Sequence, residues 1–403
     1  MARIFENDKS TVTTMNIAVI GNCNSIFVKQ FIEFEWSEKD HVVLLAESPV
    51  TKEYISFYQS RGVVVIPMFG KGVSWVQRIP GVRSYLGAYC WAKAALKECG
   101  SFDAVHVHGL NRSRGLIAKF LRSETRSLVI SVWGSELLGQ TEKQLKDILP
   151  YYRMSDTITF ETDQMIAKFK EAYGDEFNDK IVKAELFLGI YEYMDRIAKQ
   201  TTREELCQSF GIKDTNRLNV FVGHNGREVQ RHFEITEQIQ RLPEDVKSKI
   251  NLVYTMTYGT PQGDYLGNLK QVALSTGCPC YFIEGYLSED SIAKLRLVCD
   301  MLIHAQLVDA ASASLRECMY GGSLVINGAW LKYDFIPQYN ERVIDYSSLD
   351  EIPDKLSDVI LHPVKYQSMR ELNKGNRDGE PTLEENVKIW NNVFNISKRV
   401  NRL

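Results

Sequence analysis

Short apolar runs alternate along this chain with longer stretches in which apolar residues recur every three or four positions, the periods of buried strands and of amphipathic helices. In the first half the runs fall at 16–20, 41–46, 62–67, 102–109, 128–132 and 156–160, and 180–189 gives a further strand and an exit loop. In the second half they fall at 218–222, 250–256, 280–283, 301–303 and 324–326, with a last strand–helix pair over 346–361. Helical stretches lie between them, among them 26–34, 52–60, 265–276 and 311–320, and a final one covers 382–394. Near-continuous apolar strands separated by helices predict parallel sheets covered on both faces. A charged, helix-forming stretch at 195–210 separates the two series, which places the domain boundary near Tyr193.

One stretch concentrates the candidate chemistry. Met301–Ile303 is followed by His304, Gln306 and Asp309, a helix over about 311–320, a Gly321-Gly322 stop, and the strand 324–326 with Asn327-Gly328 as its exit turn. Ligands of doubly wound sheets bind outside the carboxyl ends of the strands. Here the residues from Ala310 to Ser314 are small enough for a ligand to approach the first-turn backbone. Its free N–H groups and positive dipole end suit a diphosphate, with Ser312 and Ser314 as contacts. Glu317, about two turns into the helix, can accept two hydrogen bonds from a vicinal diol such as a ribose. The plainer alternative is a loop carboxylate at Asp309 and a solvated helix carboxylate at Glu317.

Other strand ends carry candidates as well. Gly21-Asn22 follows the first strand but lacks both the full G-x-G-x-x-G and the Lys-Ser/Thr of a P-loop. Alternation puts His106 and His108 on one face, and His108, at the strand end beside Gly109, is placed to meet a ligand; a core histidine is the alternative. Glu136, in Gly134-Ser135-Glu136, is an acceptor-binding residue or general base, or else a helix N-terminal acid held by the dipole. Gly223-His224-Asn225-Gly226-Arg227 precedes a helix reaching about Arg241, a phosphate-friendly arrangement whose positive charge comes from Arg227 or Arg231. Gly285-Tyr286-Leu287 leads to a helix capped by Ser288, and a loop tyrosine such as Tyr286 more often packs than meets a ligand.

Asp309 and Glu317, with seven residues between them, stand in a strand–loop–helix unit ending in Gly-Gly. The unit resembles the Glu-x7-Glu element of GT-B glycosyltransferases, above all the large retaining family 4, with Asp in the first place. The strand ending at His108 resembles that family's D-V-x-H-x-H element, whose last histidine contacts the donor sugar. Gly134-Ser135-Glu136 is similar to its His-Gly-Ser/Thr-Asp, with Trp133 in place of the histidine. Where family members carry an arginine after the first glycine of the second half, this chain has His224. The run 222–239 is also similar to the smaller, inverting family of lipid-linked acetamido-fucose transferases, which has a histidine at the helix start, the place of His232.

The motifs occur in one consistent order over residues 16 to 395. The resemblance implies an α/β GT-B fold of two Rossmann-like doubly wound domains facing a central cleft. It divides the chain into a disordered extension (1–14), an acceptor domain (15–193), a nucleotide-sugar donor domain (194–375) and a terminal helix (376–403) crossing back to the first domain. It implies a retaining, metal-independent hexosyltransferase that needs no cofactor and takes a UDP- or GDP-sugar as co-substrate. The acceptor is a saccharide or lipid-linked saccharide in surface polysaccharide biosynthesis. The catalytic residues are then His108, Glu136 and Asp309. The donor-binding residues are Gly21, Asn22, Gly223, His224, Arg227, Arg231, Gly285, Tyr286, Leu287, Ser312, Ser314 and Glu317. A nucleotide-sugar epimerase of the same fold stays open as an alternative. So does an inactive sugar-binding relative, suggested by His224 and Asp309.

Composition narrows the picture further. At 403 residues the chain can bury two cores, and a net charge of −3 argues against general nucleic-acid binding. No run reaches the roughly 18 apolar residues of a membrane span, and residues 1–14 lack a signal peptide's apolar centre, so a cytoplasmic location is expected. The 8 cysteines show no zinc spacing, and there is no Asp-x-Asp. Between Gly70 and Lys97 the chain carries Lys71, Arg78, Arg83, Lys93 and Lys97 without an acid, interleaved with Trp75, Ile79, Tyr85 and Leu86. Such a segment suits peripheral contact with an anionic membrane at its inner face; the alternative is a helix packed on the domain core.

Overall fold

The structure, a computed structural model, describes residues 14–34, 40–67, 82–377 and 379–400. Apart from Thr14, the expected N-terminal extension lies outside these residues, as does 70–81 of the basic segment. By its internal contacts the chain divides between Phe187 and Leu188; the second compact unit ends at Glu380, and the chain from Pro381 belongs to the first.

The first unit is built on seven strands: β1 (Asn16–Gly21), β2 (His41–Ala46), β3 (Val64–Pro67), β4 (Phe102–His108), β5 (Thr125–Val132), β6 (Thr157–Phe160) and β7 (Ile181–Lys183). They form one parallel sheet in the order β3-β2-β1-β4-β5-β6-β7. Ile17, Ala18, Val19 and Ile20 of β1 are all fully buried, the signature of a central strand covered on both faces. The order reverses between β1 and β4, which sets Gly21 beside the end of the strand carrying His108. The last helix, Leu383–Val400, packs on this unit. Trp390 Nε1 and Asn386 Nδ2 donate to the Glu185 carbonyl at 3.0 and 2.7 Å, and the Trp390 ring meets Phe31 edge-on at 4.7 Å.

The second unit holds β8 (Leu218–Val222), β9 (Ile250–Met256), β10 (Cys280–Glu284), β11 (Met301–His304), β12 (Leu324–Gly328) and β13 (Val343–Tyr346). These make a parallel sheet in the order β10-β9-β8-β11-β12-β13. Successive strand residues point to opposite faces. Phe221, Val253, Leu302 and Val325 therefore join one core, and Val220, Val222, Leu252, Ile303 and Ile326 join the other.

Three elements differ from the sequence-based expectation. Tyr346 ends β13 and does not begin it, because the short run Val343-Ile344 stands between charged Arg342 and Asp345 and gives little apolar signal. Asn327-Gly328 is not an exit turn but the end of β12, where the Asn327 amide is bonded in the interior to Leu331 O at 3.1 Å and Tyr339 Oη at 2.8 Å. The helix Ala313–Tyr320 starts later than expected, so Glu317 lies one turn in, and its left-handed stop is Gly322, with φ of 90°. Among the described residues no helix is long and apolar enough to cross a membrane.

Candidate functional site

In the second unit the strand order reverses between β8 and β11, the position at which a doubly wound sheet takes its ligand. Gly223 turns the chain after β8 with φ of 69°, and a Cβ there would lie 3.0 Å from Gln230 Oε1. Only glycine meets both demands. The turn buries His224. Gln230 Oε1 accepts the His224 backbone N–H at 3.1 Å, which leaves the Gln230 amide nitrogen 3.5 Å from His224 Nε2. An amide nitrogen only donates, so Nε2 accepts and the hydrogen-bond network assigns the imidazole proton to Nδ1. His224 Nδ1 is buried and has no hydrogen-bond partner among the described residues.

The His224 ring stacks on that of His304 at 5.5 Å. The Asn327 amide nitrogen is spent on other acceptors, so Asn327 Oδ1 accepts from His304 Nδ1 at 2.9 Å while Gln306 Nε2 lies 3.1 Å from His304 Nε2. Burial, reinforced by the charges of His304, Arg296, His232 and Arg227, pushes the His224 pKa well below the usual histidine range. His224 is thus a neutral donor and carries no charge for an anion. Of the arginines in its loop, Arg227 donates its backbone N–H to Asn225 Oδ1 at 2.9 Å and sets its guanidinium 5.9 Å from the Tyr258 ring centre. Arg231 adopts φ of 60° at the cap of the helix His232–Gln240, with Nε 3.4 Å from Glu234 Oε1. His232, the first helical residue, has its Nδ1 3.0 Å from Tyr265 Oη.

The loop after β11 carries Asp309. Its Oδ1 accepts the Ala310 N–H at 2.8 Å, its Oδ2 accepts the Tyr333 hydroxyl at 2.7 Å, and His304 Nε2 lies 3.7 Å from Oδ2. Ser312 precedes the helix Ala313–Tyr320 without capping it, so no side chain of the helix's own cap residue takes up the first-turn N–H groups. Glu317 is not on a solvated face but 9% exposed. Its Oε2 accepts from Arg296 Nε at 2.8 Å, and Arg296 Nη2 donates to Ser314 Oγ at 2.9 Å. Burial works against the charge of Arg296, and the Glu317 carboxylate together with Cys318 and Cys299 outweighs it, so the net shift is upward.

Arg296 is a residue that the sequence reading misses. It falls three positions after Ala293 and three before Cys299, both buried, on the inner face of the helix Glu289–Val298. A charge inside an apolar stripe is the signal that finds it. Tyr258, on the loop after β9, ties the loops together. Its carbonyl accepts the Gly226 N–H at 2.9 Å, its hydroxyl accepts from Asn225 Nδ2 at 3.2 Å, and the Arg227 guanidinium lies 5.9 Å from its ring centre, while the residue is 54% exposed.

Gly285-Tyr286-Leu287 follows β10, the edge strand, and so stands apart from the reversal point. Gly285 has φ of 81°, Tyr286 is 54% exposed, and Leu287 packs on the core. Ser288 caps the next helix as expected, accepting the Ser291 N–H at 3.2 Å.

In the first unit a Cβ on Gly21 would lie 3.0 Å from His108 Cβ, so the glycine lets β1 and the histidine approach. Neither ring nitrogen of buried His108 has a partner among the described residues. The ring meets Phe31 edge-on at 4.7 Å and stacks on Trp133 at 5.6 Å, beside a cavity also lined by Ser131, Thr159, Glu161 and Trp390. His106 Nε2 lies 2.6 Å from Ser131 Oγ, itself 2.7 Å from Thr159 Oγ1. Asn22 accepts the Asn24 N–H at 3.1 Å. Glu136 Oε1 accepts the backbone N–H groups of Leu110 at 3.2 Å and Trp133 at 2.9 Å. Glu136 therefore clamps the loops after β4 and β5. Burial raises its pKa, and those two hydrogen bonds oppose the rise. Among the described residues no group of His, Cys, Asp and Glu is arranged to hold a metal ion.

Burial lowers the pKa of His106, His108, His224, His232 and His304, that of His108 to about 3 and of His232 to about 4. The unfolded chain therefore binds more protons than the native one below about pH 6.5. Stability is full above that pH and falls as the pH drops toward the native values. His232 alone removes about 3 kcal/mol by pH 4. Urea denaturation is expected to show a near-constant midpoint from pH 7 to 8 and a steady decline below about pH 6.5; a midpoint unchanged down to about pH 4.5 contradicts these assignments.

No protein-family model matches the chain, and no curated protein matches it significantly in sequence. Solved structures match it in fold. Anabaena HepE in complex with UDP and glucose aligns over 96% of this chain and 98% of its own, with a TM-score of 0.64 and 12% identity. A glycosyltransferase from Rickettsia africae aligns over 96% and 97%, with a TM-score of 0.65 and 14% identity. Sucrose-phosphate synthase from Thermosynechococcus elongatus aligns over 96% and 98%, with a TM-score of 0.66 and 12% identity. With two parallel α/β sheets flanked by helices and this coverage, the chain has the GT-B fold.

Proposed function

We propose that the chain is a glycosyltransferase moving a hexose-type sugar from a UDP- or GDP-sugar to a saccharide or lipid-linked saccharide. One observation carries the reading: the β8–β11 reversal point gathers the Gly223 loop, a helix start without a side-chain cap, and Glu317 one turn beyond it. This is an anion site followed by a diol acceptor. Support comes also from neighbours of the same fold, which include HepE in complex with UDP-glucose and a UDP-forming trehalose-phosphate synthase in complex with glucose-6-phosphate.

In this proposal Arg227, Arg231 and the helix start at Ser312 and Ser314 stabilise charge growing on the diphosphate as its bond to the anomeric carbon breaks. Gly223 and His224 line the same point. Glu317 holds the ribose and Asp309 holds sugar hydroxyls, orienting the anomeric carbon for attack by an acceptor oxygen whose proton passes to the departing diphosphate oxygen. Gly285, Tyr286 and Leu287 take the base. On the first unit His108, with Gly21 and Asn22, is assigned to the sugar. A retaining outcome is favoured because Glu136, the candidate general base, already holds two backbone N–H groups. The helix Val82–Cys99 buries Ala88 and Trp91 against its unit and leaves Tyr85 and Tyr89 half-exposed against Phe120. That half-exposed aromatic edge of the basic segment favours a surface-polysaccharide acceptor at the inner face of a membrane.

A thermal-shift panel of nucleoside diphosphates and nucleotide sugars, followed by turnover assays, tests the proposal. UDP or GDP is expected to stabilise the chain, with nucleotide released only when a saccharide acceptor is present, at a rate unchanged by EDTA. Conversion of the nucleotide sugar without acceptor assigns an epimerase. Binding without turnover under either condition assigns an inactive sugar-binding protein.

A further inference from the structure

Arg296 does more than pair with Glu317. It is 6% exposed, and two of its three nitrogens are accounted for, Nε by Glu317 Oε2 at 2.8 Å and Nη2 by Ser314 Oγ at 2.9 Å. Arg296 Nη1 is buried with no hydrogen-bond partner among the described residues. His224 Nδ1–H is a second buried donor in the same condition. A buried donor without an acceptor is strongly disfavoured, and both flank the β8–β11 reversal. The His224 ring stacks on His304, the last residue of β11, at 5.5 Å, and Arg296 Nη2 donates at 2.9 Å to Ser314 Oγ in the first turn of the helix that follows the β11 loop. The chemistry that satisfies a guanidinium N–H and a neutral imidazole N–H together is an anion with several oxygens. Neutral His224 cannot supply the charge, and Arg296 adds a buried cation to the Arg227 and Arg231 of the Gly223 loop.

We infer that Arg296 Nη1 and His224 Nδ1–H bind the nucleotide's diphosphate together, with Arg296 as its buried cation. The inference rests on the nucleotide-sugar reading above and adds to it a residue outside the Gly223 loop. It also gives the Arg296–Glu317 pair a double use, because the same guanidinium that meets phosphate fixes the carboxylate that meets ribose.

Calorimetric titration with UDP and uridine, and with GDP and guanosine in parallel, on the wild type and on Arg296→Lys separates the possibilities. Arg296→Lys keeps a cation against Glu317 but loses the second arm of the fork. It is expected to weaken the diphosphate about 10- to 100-fold and the matching nucleoside less than about 3-fold. Equal losses for both mean that Arg296 only positions Glu317, and unchanged affinity for both means that it does neither; each result overturns the inference. Should Arg296→Lys fail to fold, His224→Asn reads the same point. The same split is expected there, and an unchanged diphosphate affinity overturns the inference. A wild type that binds neither UDP nor GDP overturns the nucleotide-sugar reading itself, a result seen before any variant is made.

Discussion

Glu317→Ala is expected to remove nucleotide binding and to lower stability in the same protein. The two losses have different causes. Glu317 Oε2 meets Arg296 Nε at 2.8 Å in a buried pair, and deleting the carboxylate leaves the guanidinium uncompensated, which costs about 3–5 kcal/mol. The binding loss comes from the missing ribose acceptor, about 100-fold or more for two hydrogen bonds to a charged group. Combining Glu317→Ala with Arg296→Met separates the effects. An apolar replacement of the whole pair is often neutral, so the double variant regains stability in urea denaturation while binding stays lost, now through both the ribose acceptor and the diphosphate's buried cation. Unchanged nucleotide affinity in either variant contradicts the role given to Glu317.

Asp309→Asn is expected to act on transfer with little effect on nucleotide affinity. Asp309 lies on the loop after β11 with Oδ2 on the Tyr333 hydroxyl at 2.7 Å and 3.7 Å from His304 Nε2. The amide keeps the shape of the group but changes which of its atoms accept. It turns a donor toward Tyr333 or toward the sugar, and a reacting centre displaced by about 1 Å loses about 100-fold in rate. We expect kcat/KM to fall about 100- to 1000-fold while the Kd for UDP or GDP moves less than about 3-fold. Equal losses in both would place Asp309 on the nucleotide and not on the sugar.

The sheet architecture is legible in the sequence because central strands are buried on both faces and leave near-continuous apolar runs, such as Ile17 to Ile20 in β1 and Leu252 to Tyr254 in β9. β13 is not legible, since its apolar pair Val343-Ile344 sits between Arg342 and Asp345. The strand-end residues of the candidate site are legible by position: Gly223, His224, Asp309 and Glu317 all fall at loops after β8 and β11 or on the helix that follows. Arg296 is legible only as a charge inside the apolar stripe of the helix Glu289–Val298, and its partner Glu317, on a different helix, is not legible as such. The clamp made by Glu136 is hidden for a similar reason. Its partners are backbone N–H groups of Leu110 and Trp133, which no side-chain motif records.

The central claim is that the carboxyl ends of β8 and β11 hold a nucleoside diphosphate. Crystals of the wild type soaked with UDP, and with GDP in parallel, test it most directly. The expected difference density has phosphate oxygens within hydrogen-bond reach of His224 Nδ1 and Arg296 Nη1, and a ribose diol on Glu317. A nucleotide bound elsewhere on the chain, with His224 and Glu317 untouched, would contradict it.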